Sequence, residues 1–211
     1  MSFFGVTDLW LFIVAGLILN ITPGADLLYI TNRSAAQGKK AGVVAALGIG
    51  AGCVFHVVAA ALGLSMLLVS SSFAFSVVKY LGAGYLLYLG ISTFLSLKNI
   101  KESETVVVPV LTLPKIFRQA VLINILNPKV ALFFMALLPQ FVSPAATYPA
   151  LTFLFLGVVF NVNGTVVNIL FALFTSVLAK KLRAISFLPR FLKSLVGTLF
   201  VALGLRLAFL E

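Results

Sequence analysis

The stretch Asn20-Ile21-Thr22-Pro23-Gly24-Ala25-Asp26 lies inside an apolar run that begins near Leu9 and ends near Ile30. A run of about 20 apolar residues is what a bilayer-spanning helix requires. This one carries a helix breaker, a glycine, two short polar side chains and a carboxylate near its middle. Proline removes a backbone donor and clashes with the preceding turn. In hydrocarbon, the carbonyls and amides so freed must find partners in protein or in a water-lined cavity. A carboxylate at that depth is a functional-site hypothesis by default. A second break follows about a hundred residues later, at Asn124-Ile125-Leu126-Asn127-Pro128-Lys129. Paired breaks in corresponding halves of a membrane protein point to a transporter's substrate site.

The whole chain fits that setting. Its 211 residues are 62% hydrophobic and only 9% charged, whereas soluble domains average about 25% charged. A soluble fold of this size could not bury so much apolar surface, so an integral membrane protein is expected. The formal net charge of +10 does not signal nucleic acid, because the basic residues fall in short segments between apolar runs and act as topology signals. The single cysteine, Cys53, permits no internal disulfide and reads as a small buried hydrophobe. The first apolar run is too long for the core of a cleaved leader, so none is expected.

Six spans are expected: 7–31, 41–69, 73–97, 117–141, 148–178 and 191–210, forming one transmembrane domain. The second is longer than one bilayer needs, so it should tilt or protrude. Basic residues follow spans one (Arg33, Lys39, Lys40), three (Lys98, Lys101, Lys115, Arg118) and five (Lys180, Lys181, Arg183, Arg190, Lys193). The segments after spans two and four carry none. By the positive-inside rule the basic side is cytoplasmic and both termini lie outside. Lys79 and Arg206 are exceptions near span ends and can snorkel. Lys129 lies deeper.

The halves echo each other. Lys79-Tyr80-Leu81-Gly82-Ala83 precedes Leu89-Gly90, as Lys193-Ser194-Leu195-Val196-Gly197 precedes Leu203-Gly204. Pro23 and Pro128 each break the first span of a half. Three spans per half force opposite orientations. The expected fold is therefore all-α, with six transmembrane helices as two inverted three-helix repeats (about 1–97 and 117–211) joined by a cytoplasmic loop over 98–116.

A broken span presents half-helix termini to a cavity. N-termini suit an anionic group and unwound carbonyls a cation, so a zwitterion such as an amino acid fits both. Candidate substrate-binding residues are Asn20, Thr22, Pro23, Gly24, Asn124, Asn127, Pro128, Lys129 and Asn161. Asp26 is the candidate for proton coupling, because a carboxyl group in a dry interior can load and release a proton. The competing readings are a packing kink with capping asparagines, Asp26 as an N-cap and Lys129 as a snorkelling side chain. Lys129 could also pair with Asp26. Gly48, Gly52 and His56, with Ala45, Ala59 and Gly63 on nearly the same face, read as a helix-packing stripe. His56 reads as a packed or hydrogen-bonded histidine. Asn161, Gly164 and Asn168 share a face of span five and read as cavity lining or interhelical glue. Tyr80, Tyr85 and Tyr88 suit packing or the bilayer interface, and Pro139-Gln140 a span end.

No HExxH, phosphate loop or nucleophile–base pair occurs, so no enzymatic chemistry, metal or cofactor is expected. A passive channel for a small solute stays open as an alternative. A membrane thiol-redox carrier needs a second cysteine, and a pure scaffold would not need paired polar breaks.

These residues carry a resemblance. Thr22-Pro23-Gly24-Ala25-Asp26 with Gly38-Lys39-Lys40-Ala41-Gly42, the run from Lys79 to Gly90, and Asn127-Pro128-Lys129 running on to Phe133-Phe134 and Pro139-Gln140-Phe141 resemble the lysine-exporter/homoserine-resistance (LysE/RhtB) family of bacterial amino-acid exporters. Family members usually show Pro-Gly-Pro where this chain has Pro23-Gly24-Ala25, a departure that loosens the first break without removing it. The resemblance implies a six-span inner-membrane exporter of amino acids or close derivatives, of threonine, homoserine, neutral or basic type. It also implies proton antiport and a homodimer. The expected partners are amino acid, protons and lipid, with no nucleic acid.

Overall fold

The computed structural model describes residues 5–95, 109–143 and 145–178, and within the last segment Ser194, Gly197, Thr198, Val201, Ala202, Gly204, Leu205 and Phe209. The basic residues of 180–193, Arg206, the loop over 98–108 and the Lys79 side chain lie outside the described residues. The described chain is helical, and its one β-type pairing is an antiparallel bridge between Val6 and Val142.

Both proline stretches break a helix. α1 (Leu9–Ile21) and α2 (Ala25–Gln37) meet at 54° across Thr22-Pro23-Gly24. α6 (Leu113–Ile125) and α7 (Pro128–Leu137) meet at 46° across Leu126-Asn127, where the α7 side of the measured pair runs to Phe141. α7 tightens into a 3₁₀ turn at Leu138–Phe141, which is where Pro139-Gln140 was expected to end the span. α6 begins at Leu113, with Pro114 in its first turn, so the loop expected to reach residue 116 stops earlier. Proline is tolerated there because first-turn amides have no intrahelical acceptor.

Between the breaks lies α3 (Lys39–Ala59), which continues through a π-helical turn (Ala60–Leu64) into α4 (Ser65–Ser70). α5 (Ser72–Leu95) follows, and α8 (Pro149–Leu178) closes the described bundle. Lys39–Leu64 and Pro149–Thr175 are each long and apolar enough to cross a membrane, and each bent pair qualifies as one further span.

α3 is central. It packs on α6 and α8, while α8 also packs on α1 and α2, and α5 on α7. The approach on α6 depends on missing side chains. A Cβ at Gly48 would sit 2.6 Å from Ala120 Cβ, and one at Gly52 would sit 2.7 Å from the Val121 carbonyl oxygen. Small residues let membrane helices come this close. The expected stripe holds for Gly48 and Gly52 but not for Gly63, which has nothing within 4 Å of such a Cβ. The helical residues near the C-terminus lie on α5, since a Cβ at Gly90 would meet Val201 Cγ2 at 2.6 Å.

Two apolar clusters divide the interior. One contains Phe12, Phe133, Phe134, Phe141, Phe153 and Phe160. The other is built largely of alanine: Ala41, Ala45, Ala46, Ala120 and Ala172 around Ile30, Ile49 and Ile116.

Gly48→Leu or Gly52→Leu should therefore lower the thermal stability of detergent-purified protein, at a cost of about 1–3 kcal/mol or more from overpacking. Gly63→Ala should leave it unchanged. Size-exclusion profiles after graded heating would show the contrast.

Candidate functional site

The two breaks cross at one cavity. α1 and the first break contribute Asn20, Thr22 and Gly24, and α2 contributes Asp26. The second break contributes Asn124, Asn127 and Lys129. α8 adds Asn161, Gly164, Thr165 and Asn168, and α3 adds Cys53. The cavity lies where the two apolar clusters meet, with Leu19, Val130 and Phe160 from the first and Ile49 from the second. Its volume is about 30 Å³, room for one or two waters.

The polar groups bind across the breaks. Asn127, in extended backbone, caps α7 by accepting a 3.0 Å hydrogen bond from the Lys129 amide, with Pro128 as the first helical residue. Lys129 reaches the other half: its Nζ donates to the Leu19 and Thr22 carbonyl oxygens, both at 2.8 Å. These are carbonyls at the C-terminal end of α1; the Leu19 carbonyl also accepts from the Thr22 amide at 3.0 Å, and Pro23 brings no amide hydrogen to this end. Thr22 holds its own hydroxyl on the Ile18 carbonyl at 2.7 Å. In return, Asn124 Nδ2 donates to Asp26 Oδ2 at 2.9 Å. The Asn124 carbonyl oxygen lies 2.9 Å from His56 Nε2, which donates to it.

Asp26 and Lys129 thus line one cavity and act on each other electrostatically, but each makes its hydrogen bonds to other groups rather than to the other. Three buried atoms keep unmet hydrogen-bonding capacity among the described residues: Asn20 Nδ2, Asp26 Oδ1 and Asn124 Oδ1. Asn124 is 1% exposed. Most buried polar groups in proteins are paired, so three unpaired ones around one cavity mark a place for a polar ligand or water.

The sequence of the chain matches the family of LysE type translocators over residues 17–210. The chain belongs to that family. Relatives include an uncharacterized membrane protein of Pseudomonas aeruginosa, 34% identical over 209 residues (97% of this chain, 96% of the relative). A leucine efflux protein of Salmonella typhimurium is 29% identical over 211 residues (99% and 98%). An uncharacterized membrane protein of Bacillus subtilis is 37% identical over 130 residues (58% and 62%). No solved structure matches. This LysE-type translocator is a multi-pass membrane protein and a transporter, not an enzyme.

Of the residues singled out from the translocator's sequence, Asn20, Thr22, Gly24, Asp26, Asn124, Asn127, Lys129 and Asn161 all line the cavity. Pro23 and Pro128 do not: both are exposed and act by breaking the helix rather than by contact. Thr165 and Cys53 were not foreseen as lining. Thr165 lies one turn beyond Asn161, whose Oδ1 it hydrogen-bonds at 3.4 Å, so the helical period could have found it.

Sequence reasoning also misplaced Arg33. Read as a loop charge, it lies within α2 and is 7% exposed. Its Nη1 donates to the Pro109 carbonyl at 2.8 Å and to Gln37 Oε1 at 3.2 Å. Tyr29, one turn earlier, donates to Gln119 Oε1 at 3.0 Å, and Gln37, one turn later, exchanges two bonds with Leu111. One face of α2 is thereby tied to α6 and the segment before it.

Lys129→Met should destabilise the translocator, since net hydrogen bonds from a charged donor are worth about 1.5–3 kcal/mol each. Asn127→Ala should cost about 1 kcal/mol through the lost cap, and Asn127→Ser should restore most of it. Thermal denaturation in detergent would rank the three.

Proposed function

We propose that this translocator exports amino acids from the cytoplasm across the bacterial inner membrane by proton antiport. The observation that carries the reading is the pair of ionisable groups, Asp26 and Lys129, lining one polar cavity at the crossing of two broken helices and bonded to different partners. Intramembrane charges are costly and mark substrate or ion pathways. In this reading Asp26 carries the proton, and the cavity residues from both breaks and from α8 bind the zwitterion. The leucine efflux relatives, similar along their whole length, make leucine the first cargo to try.

The proposed frame is six spans in two inverted repeats. Each repeat would hold a broken span, a long unbroken one and a third: α1/α2, α3 and α5, then α6/α7, α8 and the helical residues between Ser194 and Phe209. Reciprocal packing supports it, since α3 lies on α6 as α8 lies on α1. In this frame both termini lie outside, a reading supported by the positive-inside rule applied to the basic residues. A homodimer is the proposed assembly.

Vesicles loaded with a panel of radiolabelled amino acids and given a pH gradient test this reading. Leucine or a similar amino acid should leave faster with the gradient, and Asp26→Asn should insert normally yet lose the coupled component. Leakage indifferent to the gradient would establish a channel instead. Normal coupled efflux by Asp26→Asn would remove Asp26 from its role.

A further inference from the structure

The unpaired atoms specify more than a polar ligand; they specify its polarity. Two are acceptors, Asp26 Oδ1 and Asn124 Oδ1, and one is a donor, Asn20 Nδ2. The Asn124 assignment is secure on chemical grounds. Its other amide atom faces Asp26 Oδ2 at 2.9 Å, and a carboxylate can only accept there, so the atom facing it is the nitrogen and the free one is the oxygen. On the donor side, Lys129 has three N–H groups and spends two on the Leu19 and Thr22 carbonyls. One side of the unmet capacity therefore wants a group rich in N–H donors. The other, Asn20 with the remaining Lys129 donor, wants an acceptor.

We infer that the cargo's α-ammonium is taken by Asp26 Oδ1 with Asn124 Oδ1, so that cargo and proton exclude one another at a single carboxylate, and that the cargo is a neutral rather than a basic amino acid. This deepens the amino-acid reading above and rests on it. The exclusion follows from the acceptor count. Asn124 holds Oδ2 and the Asn127 side chain also lies against the carboxylate, which leaves Oδ1, whose capacity is unmet, as the oxygen open to a proton or an ammonium. A protonated carboxyl group presents a donor where the ammonium needs an acceptor. One site then enforces exchange with no separate proton relay.

The restriction to neutral cargo follows from the lining. Asp26 is the one acid among the residues around the cavity, and the α-ammonium uses it. The rest of the wall offers Leu19, Leu27, Ile49, Val130 and Phe160, which suit an aliphatic side chain. A lysine or arginine cargo would bring a second cation with no carboxylate to meet it. The other titratable groups near Asp26 are Lys129 on α7 and His56 and Cys53 on α3. His56 is engaged on the Asn124 backbone.

The test uses purified full-length protein and equilibrium binding of radiolabelled leucine across a pH series. Leucine affinity should begin to fall as Asp26 protonates and should fall about tenfold per pH unit below that range, the slope of a single linked proton. Below that range, binding should release one proton per leucine, as read by calorimetry in buffers of different ionisation enthalpy. Threonine should compete with leucine. Lysine should compete about 100-fold or more weakly, and 4-methylpentanoate, which is leucine without its amino group, should not compete.

Asp26→Asn should bind leucine much more weakly, and whatever binding it keeps should show no pH slope. Should that variant fail to fold, the wild-type slope, proton count and analogue series decide the matter without it. Leucine binding that ignores pH, equal competition by 4-methylpentanoate or lysine, or a slope surviving in Asp26→Asn would overturn the inference. If leucine is still exported under a gradient in that case, the transport reading stands alone. If no amino acid binds or is exported, the transport reading falls and this inference with it.

Discussion

A carbonyl freed inside hydrocarbon has no water to accept from, and each unmet group costs several kcal/mol. Two proline breaks in one small bundle create this problem twice. The chain meets it with local bonds at each break and with contacts that run from each break to the other. Lys129, at the start of α7, satisfies the end of α1 through Leu19 and Thr22. Asn124, at the end of α6, meets Asp26 in the first turn of α2. The second break closes largely within its own half, through the Leu126 and Asn127 amides on the Leu122 and Asn124 carbonyls and the Asn127 cap on Lys129, whereas the first also takes the Lys129 ammonium from across the cavity. The polar cavity is the by-product of these contacts: the groups that repair the breaks are also the groups that line it.

The contacts between the breaks need backbones at close range, and α3 provides it. Gly48 and Gly52 let α6 come within contact of the α3 backbone, which carries Asn124 to the cavity and its carbonyl to His56. On the opposite face, a Cβ at Gly50 would lie 2.6 Å from Thr165 Oγ1, so α8 seats Asn161 and Thr165 equally close. Above and below, the packing differs. Interlocked phenylalanines, such as Phe133 on Phe160 at 5.0 Å between centroids and Phe134 on Phe160 at 5.1 Å, fill one end. Alanines fill the other, supplemented by the Tyr29–Arg33–Gln37 ladder along α2. Alanine buries far less area than phenylalanine, at about 25 cal/mol per Å². The alanine end therefore holds together more through polar contacts, which exchange partners more readily than packed aromatic rings.

Much of this was legible in the residue order because it is local. A proline inside an apolar run breaks the helix whatever surrounds it, so Pro23 and Pro128 located both bends. Asparagine before proline is a helix start, and Asn127-Pro128 behaves as one. The four-residue spacing of Gly48 and Gly52 marked the face of α3 that receives α6. What could not be read was anything depending on a distant partner. Arg33 looked like a loop charge because composition counts charges without regard to burial. Its true partners are the carbonyl of Pro109 and the side chains of Gln37 and Gln119, the two non-local ones more than 70 positions away. The pairing of Lys129 with carbonyls rather than with Asp26 was equally hidden, since spacing in sequence cannot say which of two nearby acceptors a long side chain will choose.

That choice of acceptor divides the labour between the two charges. An ammonium bridging two backbone carbonyls is fixed by groups that cannot change protonation, and moving it would reopen the end of α1. Lys129 is thus tied to the integrity of the break. Asp26 is held by side-chain amides alone, Asn124 on Oδ2 with Asn127 also against the carboxylate, while Oδ1 keeps unmet capacity. Releasing it disturbs no backbone group. Of the two charges at the crossing, the carboxylate is therefore the one free to exchange partners during a transport cycle, and the ammonium is the one around which the exchange takes place.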